Sequence, residues 1–170
     1  MRIAALLAAA ALFAGTAEAQ PRPCLSTADA EAITLVALPA ILRDAGRVCA
    51  ALPSSSLLRR TDGRFIARYD AEADRAWPAA RAAIAKLSDP AVELLLLSDY
   101  SRTMLTSIFA PQITGGIDPA DCPALDRMVT LIEPLPPRNT AGLVVSTLQF
   151  MRAKKVKGTP NLPLCPAGAK

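Results

Sequence analysis

Two features constrain this chain most: its four cysteines, Cys24, Cys49, Cys122 and Cys165, are spread almost end to end, and it has no histidine. An even number of widely separated cysteines, with no Cys-x-x-Cys, reads as two structural disulfides in an oxidising compartment. Zinc coordination and thioredoxin-like redox chemistry are the alternatives, and both lack the paired ligands they need. Cys24 and Cys49 bracket a long apolar stretch that reads as a helix. A straight helix rising 1.5 Å per residue would hold them about 37 Å apart, whereas a disulfide spans at most about 7 Å between Cα atoms. A Cys24–Cys49 bridge would need the chain to fold back at Pro39. The expected pairing is Cys49–Cys122 and Cys24–Cys165, the second tying the two ends together. Loops this long contribute about 4 kcal/mol each when closed.

The first residues look like a targeting segment. Arg2 is followed by an unbroken apolar run, Ile3 to Phe13, and then by Ala17-Glu18-Ala19, an A-x-A cleavage pattern. This predicts a secretory signal peptide over 1–19, cleaved after Ala19, and the run is too short to span a bilayer. Gln20–Lys170 would then be one domain, exported without an anchor. Net charge is +4 and arginines outnumber lysines 14 to 5. That charge is mild, short of a nucleic-acid footprint, and the arginine and alanine bias points to a GC-rich bacterium. The expected location is the periplasm or the exterior.

Helix signals run through the rest of the chain. Ser26 or Thr27 can cap a first helix, with Asp29 and Glu31 in its first turn, and Leu25 can staple against Ala30. Pro39 predicts a kink or break near Leu38. Thr61-Asp62-Gly63 reads as a tight turn, followed by a helix from Arg64 that Trp77-Pro78 either kinks or splits in two. Asp89-Pro90 is a helix start, and Leu94 to Leu97 cover every face, so Asp89–Ala110, ended by Pro111, is expected to be the most central helix. Another helix is expected from about Asp121 to Ile132. Glu133 to Pro137 reads as a rigid connector. Asn139 can cap Thr140–Ala153, where a strand is the rival reading. The tail 154–170 should lie extended, pinned by Cys165.

The fold class expected is all-α, a single-domain bundle of about five or six helices stapled by two disulfides. The cysteine spacings are not those of saposins or plant-type lipid-transfer proteins.

Without histidine, Ser-His-Asp and Cys-His catalysis are excluded, as are histidine-ligated metals. No phosphate-binding glycine loop occurs. Asp70, Glu72, Asp74, Glu93 and Asp99 offer carboxylates for glycoside hydrolysis, but Arg68 and Arg75 balance the first three on a solvated face. We therefore expect no catalytic, cofactor or metal site. The other chemistry-bearing cluster is basic and aromatic. Arg60, Arg64 and Arg68 align on one helix face if Gly63 does not interrupt, and Phe65, Tyr69 and Trp77 follow. Arg64, Arg68, Tyr69, Trp77 and Tyr100 form a possible patch for a lipid-like anionic amphiphile; the rival reading places the aromatics in the core. Three roles stay open: a non-catalytic periplasmic protein acting through protein or envelope contacts, a carrier of an apolar or anionic amphiphilic ligand, and a small carboxylate-dependent hydrolase.

Overall fold

The computed structural model describes residues 23–98, 100–159 and 162–165; the expected signal peptide lies outside them, as do Asp99 and the last five residues. Six helices follow one another, with no strand among the described residues: α1 (Thr27–Val48), α2 (Arg64–Ala85), α3 (Pro90–Leu96), α4 (Ser101–Thr114), α5 (Cys122–Ile132) and α6 (Pro137–Ala153). A single 3-10 turn, Pro119–Asp121, leads into α5.

The organising element is α1. Ser26 caps it through a capping box: its hydroxyl accepts from the Asp29 amide at 3.1 Å, and the Asp29 carboxylate accepts from the Ser26 amide at 3.0 Å. The helix then packs against α2, α4 and α6. Being covered on three sides explains why it runs unbroken through Pro39, whose ring is itself buried. The lost backbone bond at a mid-helix proline costs about 3 kcal/mol, and burial of Leu35, Val36, Leu38 and Leu42 around it offsets that cost. Of the kink or break expected near Leu38, the break does not occur. Trp77-Pro78 likewise interrupts nothing, and α2 is one helix of 22 residues.

The expectation of a central Asp89–Ala110 helix is overturned. The segment divides into α3 and α4, and the Ser101 hydroxyl at the start of α4 donates to the Ser98 carbonyl at 2.7 Å. Of the four leucines only Leu96 is buried. Pro111 does not end α4, which continues to Thr114 before Gly115. The region expected to be a strand or helix at 140–153 is helical, and α6 starts at Pro137, not at Asn139, because proline suits the first helical position.

Both disulfides pair as expected: Cys24–Cys165, with Cα atoms 5.0 Å apart, and Cys49–Cys122, at 5.5 Å. Beside the first, Leu25 lies parallel to the tail, donating to the Pro163 carbonyl at 2.7 Å and accepting from the Cys165 amide at 2.8 Å. The second anchors the end of α1 to the start of α5. Between them the loop after α1 presses on the helix so closely that a Cβ on Gly46 would meet the Leu58 carbonyl oxygen at 2.4 Å. That loop is also held by Asp126, which accepts from the Ser56 hydroxyl at 2.6 Å and from the Leu58 amide at 3.0 Å.

Candidate functional site

An amphipathic helix normally turns its large apolar residues inward. Helix α4 does the reverse. Its buried residues are Ser101, Ala110 and Thr114, and Thr106, Ala110 and Thr114 recur every fourth position to make a narrow stripe of small side chains toward α1. At its end the Thr114 hydroxyl, fully buried, donates to the Asp44 carboxylate on α1. Arg47 donates to the other oxygen of Asp44. The Thr114 bond, followed by that of Arg47, holds the Asp44 carboxyl below its ordinary range despite burial.

Because the small stripe faces in, the large residues face out. Tyr100 is 79 % exposed, Met104 59 % and Phe109 50 %, with Ile108 and Ile113 comparable. The neighbouring α3 adds Leu94, Leu95 and Leu97, each more than three-fifths exposed. No ionisable residue occurs from Thr103 to Ile117. The charges bordering this surface are mainly acidic: Asp89, Glu93 and Asp118 are exposed, whereas Arg102 is tied to Asp74. These side chains make the α3–α4 surface the candidate site on this chain.

A second concavity, an open groove of about 910 Å³, lies where the loop after α1 meets the start of α2. Arg60, Arg64, Arg68 and Arg75 all border it. Gly63, at φ 91°, turns the chain into α2, so Arg60 precedes the helix and reaches the groove from the loop. The five residues of the expected patch do not converge here. Arg64 and Arg68 line the groove. Tyr69 is fully buried, its hydroxyl 3.1 Å from that of Thr140 and its ring edge-on to Phe65 at 5.2 Å. Trp77 is partly buried against Ala32, Val36 and Ala80, and Tyr100 belongs to the exposed α3–α4 surface.

Of the carboxylates considered for hydrolysis, Asp70, Glu72 and Asp74 are engaged by arginines. Asp70 accepts two bonds from Arg43, at 2.6 and 2.9 Å, and Asp74 pairs with Arg102. Glu72 is bound by Arg75 at 2.7 Å and by Arg138 at 3.1 Å, and the Arg75 bond, more than any other influence, holds its carboxyl below the usual range. Glu93 stands exposed in the first turn of α3. Among the described residues no cluster of three or more metal-ligating side chains occurs.

Compared with known proteins, the chain matches no family model, no curated protein and no solved structure. The α3–α4 surface was not legible as a site in the sequence, where Met104 and Ile108 at i, i+4 look like any core stripe. The signals that mark it are the small residues Thr106, Ala110 and Thr114 on the same helix and the charge-free run that contains them.

Proposed function

We propose that the protein is an exported, non-catalytic binding protein of the bacterial envelope, which docks onto another protein through the α3–α4 surface. The observation that carries this reading is the inversion of α4, whose small polar face is spent on α1 while its large apolar face meets solvent. Burying five or six such side chains would stabilise a complex by roughly 1.5–3 kcal/mol each before association costs are subtracted. Export is supported by the A-x-A-terminated leader and by two disulfides, and no described helix is long and apolar enough to cross a membrane.

The partner's chemistry follows from the border of the surface. Asp89, Glu93 and Asp118 border it and the nearby Arg102 is already paired, so the complementary surface is an apolar cleft edged by lysine and arginine. The same acidic edge disfavours an anionic lipid surface. A photo-crosslinking residue at Ile108, in the intact host envelope, should give one discrete adduct with a different protein, and Met104→Glu should remove it. An adduct at twice the chain's mass would assign the surface to a second copy. Tight binding of the purified chain to anionic vesicles would assign it to lipid. Either result overturns the reading.

A further inference from the structure

The arginine groove is distant from the logic of the α3–α4 surface and makes little sense as a stabilising device. Arg64 and Arg68 stand one turn apart on α2, where like charges repel and cost the fold stability. Three carboxylates share the groove, and two of them are committed. Glu72 is clamped between Arg75 and Arg138. Glu133 is held by Arg68, which donates to its carbonyl at 2.5 Å and lies 3.6 Å from its carboxylate. The third, Asp62, forms no ion pair with Arg60 or Arg64 among the described residues. Arg60 donates only to the Ser55 carbonyl, at 2.8 Å, and Arg64 has no hydrogen bond or ion pair among the described residues. Arg60 and Arg64 thus line the groove with no carboxylate partner among the described residues.

The rest of the lining is apolar. Ala67 and Ala71 make a floor of small residues along α2, and Leu57, Phe65 and Pro137 supply the walls. The Arg68 guanidinium sits 5.7 Å from the centre of the Phe65 ring, a cation–π contact that fixes it at the groove's side.

We propose that this groove binds an amphiphile with a single oxyanion head group, the head held by Arg60 and Arg64 and the first methylenes lying on the Ala67–Ala71 floor. Guanidinium groups suit the planar, two-pronged geometry of a carboxylate and the oxygens of phosphate or sulfate. The aromatic side chains Tyr69, Trp77 and Tyr100 take no part. The site is separate from the proposed docking surface and stands or falls without it.

Calorimetric titration of the purified disulfide-bonded protein with decanoate, below its micelle concentration, tests the assignment. Saturable one-to-one binding is expected. The double variant Arg60→Gln, Arg64→Gln should weaken it about tenfold or more, as the loss of charge-assisted hydrogen bonds does, at an unchanged thermal midpoint. Decanol and inorganic sulfate, which carry the tail and the charge alone, should bind far more weakly. Binding of decanoate that the double variant leaves intact would overturn the proposal, as would decanol or sulfate binding as tightly as decanoate, or no decanoate binding at millimolar concentration. The variant Ile108→Glu distinguishes the two surfaces: it should leave decanoate binding unchanged, and its loss would place the ligand on α3–α4 and refute the groove.

Discussion

Replacing Gly46 by alanine tests the packing that holds α1 to the loop after it. In an exposed helix this substitution is favourable, by about 1 kcal/mol, because alanine loses less conformational entropy. At Gly46 the new methyl would lie 2.4 Å from the Leu58 carbonyl oxygen and 3.2 Å from the Thr61 methyl. The nearer obstacle is backbone and cannot rotate away. Nor can the loop retreat freely: Asp126 holds Ser56 and Leu58, and Cys49–Cys122 fixes its base. Overpacking in such a place costs about 1–3 kcal/mol and occasionally more, so the helix gain is outweighed. We expect a net loss of about 2 kcal/mol and, for a domain of this length, a thermal midpoint lower by about 4–8 °C. Gly142→Ala is the matched control. Its Cβ would meet only the end of the Glu31 side chain at 3.5 Å, so it should be neutral or raise stability by about 0.5–1 kcal/mol. Thermal and urea denaturation followed by circular dichroism read both variants. A Gly46→Ala protein as stable as Gly142→Ala would refute the close approach.

Tyr69→Phe should cost about 1–3 kcal/mol in urea denaturation, since it strands the buried Thr140 hydroxyl, and a midpoint equal to wild type would contradict that hydrogen bond. Replacing Cys49 and Cys122 together by serine should cost about 4 kcal/mol by loop closure, more than Tyr69→Phe, with the same midpoint in reduced and oxidised buffer for neither the parent nor this variant, because Cys24–Cys165 remains. The carboxyls of Asp29, Asp44 and Glu72 are all held below their ordinary values, by Lys86, Thr114 and Arg75 respectively. Their contribution is complete above the unfolded-state values near pH 4 and is lost as pH falls through the lower folded values. The thermal midpoint should therefore be flat between about pH 5 and 7 and drop below about pH 4, and a midpoint that rises on acidification would exclude the effect. Ile108→Glu should leave the unfolding free energy from urea denaturation within about 0.5 kcal/mol of wild type, as for any exposed position; a large loss would mean that Ile108 is packed.

Much of the fold was legible because the constraints were geometric. Helix rise alone separated Cys24 from Cys49, and Ser26-Thr27 ahead of two acidic residues placed the first cap to within one position. Proline misled at Pro111, which lies inside α4, and left two readings open at Pro39 and Pro78, which lie inside helices that pack together over much of their length. The leucine run at 94–97 misled for another reason. Apolar character says that a surface avoids water, not whether its own chain or another molecule covers it. Of the patch residues, Arg64 and Arg68 line one groove and the aromatics do not, because periodicity places residues on a helix but cannot say that Tyr69 points into the core toward Thr140 while Arg60 reaches the groove from the loop.

The central claim, that α3–α4 is covered by another protein where this chain works, is most directly tested by hydroxyl-radical footprinting in intact host cells against the purified protein. Met104 and Phe109 serve as reporters on the surface, and Met128 and Phe150, 55 % and 62 % exposed on α5 and α6, serve as internal controls. Oxidation of Met104 and Phe109 should fall severalfold in cells while that of Met128 and Phe150 stays the same. Equal oxidation of all four in both settings would contradict it.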